Sequence, residues 1–271
     1  MTPLMTLPAG WREANGVVTS PDAPAGDPTY SDELRAWIAK IEPEHFWFTS
    51  RAVLIAAIVE RFVPPEGWLE LGCGNGFVLR EVQRRYAGPC FGQEVAATAL
   101  ALARARTDAR LFHCGPGEVP VRDIGGVGLL DVIEHLADDV AALRGAARYV
   151  RPGGAVVVSV PAHQWLWSDV DEASGHQRRY SRAALIAAMT AAGLRVEWCR
   201  PFFLSLLPGL IVRRGLRAPT SDALLHRAIA PPPPVINTVF RWLTRAESAA
   251  TRAGLLPAGT SWLAVGRTAR A

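Results

Sequence analysis

The stretch Leu69-Glu-Leu-Gly-Cys-Gly-Asn-Gly-Phe-Val-Leu79 sets three glycines into five positions between an apolar run and an apolar, helix-forming segment. A strand-to-helix turn so bare lets a ligand approach the backbone, and in an open parallel sheet that turn is the usual ligand crevice. The spacing is GxGxG, with Phe77 where a dinucleotide fingerprint would place its third glycine, which disfavours NAD. No Gly-Lys-Ser/Thr follows, so a P-loop is excluded.

Working outward from that turn, short apolar runs alternate with helical patterns for more than a hundred residues, the signature of a parallel βα sheet. Strands are expected at 67–72, 90–95, 109–114, 127–132 and 155–161, with helices near 77–86, 96–106 and 137–149. A further helix opens at a Ser181 cap and ends at Gly193, a sixth strand follows over 194–202, and a seventh over 260–267. The expected fold class is α/β, a Rossmann-like, seven-stranded, mostly parallel sheet with helices on both faces. Residues 1–29, rich in Pro, Gly, Ala and Asp, read as a loosely ordered arm. Residues 30–63 read as two helices forming an N-terminal lid, with 64–202 and 259–271 making up the core. The interval 203–258 breaks the rhythm and reads as a helical cap inserted between strands six and seven.

Composition narrows the function classes. The 271 residues are 49% hydrophobic with a net charge of +4 from scattered arginines, so no basic stripe for nucleic acid is expected. Cys73, Cys90, Cys114 and Cys199 stand apart without a CxxC pair, which argues against a zinc knuckle or disulfide framework and fits a reducing cytoplasm. The N-terminus lacks the pattern of a signal peptide, and the apolar patch from Pro201 falls short of the roughly 20 residues that span a bilayer.

Acidic groups flank the glycine turn: Glu70 just before it, and Glu94 at the end of the next strand, where a carboxylate accepts both hydroxyls of a ribose. A cationic ligand suits this setting better than a pyrophosphate, and S-adenosylmethionine, with its ammonium and sulfonium, is one.

In these residues the sequence resembles the class I S-adenosylmethionine-dependent methyltransferases, from Trp68 to Arg200 with TSWLAVGR completing the match. LELGCGNG is similar to their first motif, GQEVA to the second-strand acid, LLDVIEHLADD to the fourth-strand motif and YVRPGG to the fifth. The resemblance implies that Glu70, Gly72 and Gly74 face the methionine moiety, Glu94 the ribose, and Leu130 and Asp131 the centre of the cofactor. Cys73, Gly76 and Val95 complete the implied set. Where the third strand of the family carries an acid for the adenine amino group, this chain has Gly115, so a backbone group, Glu118 or a neighbour must substitute.

If the chain turns helical after the fourth strand, Asp131, Glu134 and His135 fall at i, i+3 and i+4 on one face, and His176 follows in a loop at the same rim. The set resembles the E-x-x-E-H motif of two metal-assisted subgroups, the ubiquinone-pathway O-methyltransferases and the small-RNA 2′-O-methyltransferases, with Asp131 in place of the first Glu. Three readings stand: a divalent metal on Asp131, Glu134, His135 and His176; His135 or His176 acting alone as catalytic base; or Glu134 and His135 merely capping and pairing on a solvated helix. Mg suits the oxygens of that set, whereas two imidazoles lean towards Zn, Mn or Fe.

Trp165, Trp167 and His163 overhang the donor site and either contact the acceptor or roof the core. Arg178-Arg179-Tyr180 and His45–Phe48 resemble a bacterial branch in which the upstream aromatics cover the cofactor; the alternative is a packing wedge between helices. The expected function is O-methylation of a small-molecule acceptor, a glycosyl or polyketide-like hydroxyl. A lipid-linked or membrane-surface acceptor, a non-catalytic binding protein and a nucleic-acid methyltransferase are the alternatives. The insertion is either a hydrophobic cap or dimer interface in a monomer or homodimer, or a peripheral membrane contact.

Overall fold

The structure, a computed structural model, describes residues 7–26, 30–214 and 222–270. Its strands are β1 (Arg12–Ala14), β2 (Val17–Thr19), β3 (Trp68–Leu71), β4 (Cys90–Glu94), β5 (Arg110–His113), β6 (Ile124–Leu130), β7 (Val150–Pro161), β8 (Arg195–Phe202) and β9 (Ser261–Arg267). They form one mixed sheet in the order β1-β2-β5-β4-β3-β6-β7-β9-β8. The five strands β5-β4-β3-β6-β7 are parallel, and β9 runs antiparallel to both β7 and β8.

The expectation of seven strands is corrected: the described residues form nine. The two additional strands come from the segment read as a loose arm, whose residues 1–6 and 27–29 lie outside the described residues. Asn15 and Gly16 both adopt positive φ, 51° and 74°, the mirror-image turn whose twist matches a two-residue hairpin. β2 then adds in parallel to the free edge of β5, with Val18 opposite Phe112 and fully buried.

The helices are α1 (Asp32–Ile41), α2 (Phe46–Phe62), α3 (Phe77–Gln83), α4 (Ala97–Arg104), α5 (Asp139–Ala147), α6 (Asp169–Ala173), α7 (Arg182–Ala191), α8 (Leu207–Arg214), α9 (Asp222–Ala228) and α10 (Pro234–Ala253). Alternation along the strands feeds two cores, one per sheet face. Val127, Leu129, Val156 and Val158 enter the core with residues of α5 and α7, whereas Trp68, Leu130, Val157 and Leu263 enter the core with α2 and α3. α2 is apolar around most of its circumference because it packs against α3 on one side and α10 on another. Among the described residues no helix is long and apolar enough to cross a membrane.

The chain steps from β3 to β4 on one side and later returns to β6 on the other, so the carboxyl ends of β3 and β6 mark the topological switch point. Glu70 and the glycine turn lie at one of these ends, Asp131 at the other.

The hairpin is structural rather than incidental. Val18→Asp is expected to lower the unfolding free energy by about 3 kcal/mol, because it strands a charge in the core edge. Urea denaturation with no change in midpoint would show that the segment contributes nothing to the fold.

Candidate functional site

Gly72, Gly74 and Gly76 all hold φ between 50° and 71°. At Gly74 an added Cβ would meet no atom within 4 Å, so the turn opens onto space. Its amide donates to Glu94 Oε2 at 2.9 Å, while the amides of Val95 and Ala96 donate to Glu94 Oε1 at 2.7 and 3.1 Å. Glu94 is thereby fixed beside the turn with lone pairs left over for a ligand. Gln93 braces the turn from below, accepting from Gly72 N at 3.3 Å and donating to Cys114 O at 2.6 Å.

Two adjoining clefts open here. One, of about 600 Å³, is lined by Gly72, Gly74, Glu94, Val95, Pro116 and Gly117. The other, of about 410 Å³, is lined by Glu70, Cys73, Leu130, Glu134, His176 and Arg179. They share Gly72, Gly74, Asn75, Asp131 and His135, so they meet at the switch point. Gly76 lies behind this surface, its Cα position packed on Ala103 of α4. Glu118, one of the substitutes expected for the adenine acid, is instead engaged locally, accepting from Gly115 N at 3.0 Å and Ser20 Oγ at 3.1 Å.

The acid and histidine cluster does not sit on an α-helix as expected. After β6 the backbone passes through Asp131 at φ 58° and makes a 3-10 turn over Ile133–His135. Glu134, His135 and His176 nonetheless converge, offering ligand atoms within 4.8 Å of one another, and the two imidazoles meet edge to face at 4.8 Å. Asp131 is not part of that group: its Oδ2 pairs with Arg51 at 2.8 Å and its Oδ1 accepts from Ser159 Oγ at 2.8 Å. The reason is the left-handed step at Asp131, which breaks the helical register that would have aligned it with Glu134.

Glu134 is wholly buried, and neither of its carboxylate oxygens has a hydrogen-bond partner among the described residues. Burial, reinforced by the nearby Asp131, pushes its carboxyl well above the ordinary range. His176 Nδ1 lies 2.9 Å from Asp171 Oδ1, which also accepts from Arg179 Nε at 2.7 Å. Burial alone would raise the Asp171 carboxyl, but these two hydrogen bonds outweigh it and hold it low. An ionised Asp171 keeps the His176 proton on Nδ1 and leaves Nε2 as a lone-pair donor.

Arg51 was not singled out by the sequence reading. It projects from α2, buried at 7% exposure, to bind Asp131 and, at 3.2 Å, Ser159 Oγ. The signal was an arginine set directly before the apolar run AVLIAAIV. In His45–Phe48, Trp47 and Phe48 line the cleft, while Phe46 makes the packing contact between helices, stacking on Phe240 of α10 at 5.0 Å. His163, Trp165 and Trp167 do not line either cleft. Arg178 and Tyr180 anchor their loop to Asp139, at 3.2 and 2.6 Å.

Glu70 supplies the test of ligand charge. It is buried, its Oε2 has no partner among the described residues, and burial raises its pKa from 4.5 to about 8 despite the opposing charge of Arg51. Across the interval between those values the folded chain holds a proton that the unfolded chain releases, so this group's stabilising contribution fades as pH rises through it. The orphaned oxygen beside an open glycine turn fits the ammonium of S-adenosylmethionine, whose binding would expel the proton. Calorimetry near neutral pH, in buffers of different ionisation heat, is expected to show proton release on binding that Glu70→Gln removes. Glu94→Gln is expected to weaken binding by about 1–3 kcal/mol with the melting temperature kept; unchanged affinity would displace the ribose from this position.

The sequence over 45–197 matches the family model described as "Methyltransferase domain". A protein of Mycolicibacterium smegmatis named "Probable S-adenosylmethionine-dependent methyltransferase" is 29% identical over 59% of this chain, and the match spans 63% of that relative's length. A Mycobacterium tuberculosis protein of the same description is 27% identical over 80% of this chain and 81% of its own. Among solved structures, a chain of the complex between the Haloferax volcanii Trm112 methyltransferase activator and a methyltransferase superposes with a TM-score of 0.56 at 22% identity. It covers 89% of this chain and 100% of its own, a likeness of fold. With the family model spanning more than half of the sequence and the glycine turn, Glu70 and Glu94 disposed as above, the chain belongs to the methyltransferase-domain family and is an enzyme that uses S-adenosylmethionine.

Proposed function

We propose that the enzyme transfers the methyl group to a hydroxyl of a small, largely apolar acceptor of glycosyl or polyketide-like chemistry, with a divalent cation held by Glu134, His135 and His176. One observation carries this reading: a fully buried carboxylate whose two oxygens have no hydrogen-bond partner among the described residues, beside two imidazoles. Such a group is costly unless a proton or a cation answers it. Two nitrogens and one carboxylate suit Zn, Mn or Fe better than Mg. When bound, the cation would supply a lowered pKa at the acceptor hydroxyl.

The chain's own residues do the rest. The turn at Gly72–Gly76, with Glu70 and Glu94, would orient S-adenosylmethionine, the source of an electrophilic methyl, towards the point where the two clefts meet. α1 and α2 serve as the lid: Asn75 Nδ2 donates to Arg35 O at 3.2 Å, and Arg106, flanking the turn, pairs with Glu42. The 203–258 insertion serves as the cap, with Leu210, Leu225 and Ile229 walling the acceptor side beside Leu34 and Ile38. An apolar wall excludes water from a displacement that water would otherwise compete for. Asp171 is a positioning residue that holds the His176 ring and its tautomer.

The hydrogen bond from His176 to Asp171 also favours a second reading, in which His176 takes the hydroxyl proton as a base without a metal. The two separate cleanly. With the metal, the purified protein carries a stoichiometric transition metal by elemental analysis, chelation abolishes turnover, and His176→Ala loses both. Asp171→Asn is expected to lower metal affinity about 10–100-fold while S-adenosylmethionine affinity holds. Full turnover after chelation, lost as the medium is acidified, would overturn the metal and leave the base.

A further inference from the structure

α10 is amphipathic in the opposite sense to a helix that buries its apolar face. Apart from Phe240, which stacks on Phe46, its inward rows are polar: Thr244, Ser248 and Thr251 are buried, Thr244 Oγ1 lies 2.7 Å from Ser50 Oγ of α2, and Thr251 Oγ1 donates to Pro201 O at 3.0 Å. Asn237 bridges Phe46 N and Glu44 O, at 2.9 and 2.8 Å. The outward rows are apolar. Val235, Ile236, Val239, Trp242 and Leu243 follow helical spacing and remain between 45 and 76% exposed. A contiguous apolar stripe of this kind marks an interaction surface. α8, in the same insertion, exposes Ile211 and Val212 while Leu210 reaches the acceptor cleft.

Charge selects the occupant. Arg241, Arg245 and Arg252 recur at i, i+4 and i+11, one row between the buried polar face and the apolar stripe. Arg245 and Arg252, with Arg85 from just beyond α3, line a cavity of about 130 Å³ between α10 and α2, beside Thr49, Ser50 and Ser248. Arg85 pairs with Glu81 at 3.3 Å; Arg245 and Arg252 have no ion-pair partner among the described residues. Three guanidinium groups with neighbouring hydroxyls form a phosphate-binding set. A second copy of the chain would bring the same cation row against this one, and the single acid of α10, Glu247, is held inward by Ser205 N at 2.6 Å. An anionic bilayer answers both features, taking the stripe into its interface and its phosphates onto the arginines.

We propose that α10 seats the enzyme on an anionic phospholipid surface, with Val235, Val239 and Trp242 in the interface and a lipid phosphate in the Arg85–Arg245–Arg252 cavity. The seat is independent of the metal and of the acceptor. It places the outer face of α8 towards the lipid and its inner face, at Leu210, on the acceptor cleft.

Flotation of the full chain with vesicles of phosphatidylcholine alone, and of equal parts phosphatidylcholine and phosphatidylglycerol, tests it. Retention is expected on the anionic vesicles only, weakening as salt is raised. The double variant Val239→Ser/Trp242→Ser is expected to lose retention. Arg245→Gln/Arg252→Gln is expected to bind about tenfold more weakly or worse. Melting temperature and S-adenosylmethionine affinity, measured on each variant, should match the parent and keep this result separate from the chemistry of the clefts. Equal binding to both vesicle types, no binding to either, or unchanged binding by the arginine variant would overturn the proposal. So would sedimentation showing a dimer that Trp242→Ser dissociates without vesicle binding, which would assign the stripe to a second copy.

Discussion

The site is organised by an excess of buried carboxylate at one rim of the sheet. Glu70, Glu94 and Glu134 are all buried, and Asp131 stands among them. Each charge must be answered or neutralised, and the structure treats the four differently. Three backbone amides satisfy Glu94, and Arg51 with Ser159 satisfies Asp131. Glu70 and Glu134 keep oxygens without a hydrogen-bond partner among the described residues and are driven towards the protonated form. A fold that repeatedly leaves acids unanswered at its ligand crevice is built to receive positive charge. S-adenosylmethionine, through its ammonium, would answer Glu70, and the cation proposed at the histidines would answer Glu134.

Much of the sheet was legible because its strands are buried on both faces, so each appears as a short apolar run bounded by turn residues. The helices with good caps were legible too: Ser31 and Ser181 accept from the amides of Leu34 and Ala184, at 3.2 and 3.1 Å, as their positions before the apolar periods suggested. The hairpin at Arg12–Thr19 was missed although Asn15-Gly16 is a strong turn signal, because composition of the surrounding arm outweighed a two-residue cue. DVIEHL has the spacing of a helix, but Asp131 is committed to Arg51, a partner eighty residues upstream that no local pattern reveals. Tertiary charge pairing decided the backbone there. His176, by contrast, was placed at the rim by topology alone, since the loop after β7 has to return over the carboxyl end of β6.

The helix α10 shows where periodicity misleads. Its apolar period is as regular as that of a core helix, and sequence alone gives no means of telling which face turns inward. The direction is set by hydrogen bonds to partners fixed elsewhere: Ser50, Pro201 O and the backbone at Glu44 and Phe46 all present polar atoms that threonine and asparagine satisfy and leucine would not. Burying the other face instead would strand those groups, at roughly 1–3 kcal/mol for each.

Ser50 and Arg51, adjacent on α2, then join the two halves of the enzyme. Ser50 holds Thr244 of α10, and Arg51 holds Asp131 at the end of β6. α2 cannot slide against the insertion without breaking the first contact, nor against the sheet without exposing an unpaired, buried guanidinium at the second. The penalty for the latter is the larger, since a buried charge that loses its partner costs about 3–5 kcal/mol. α10, α2 and the carboxylate rim are therefore tied together as one unit. Any opening that admits substrate must come from elements not tied to that pair, α1, α8 and α9, where Trp37 of α1 meets His226 of α9 at 4.3 Å.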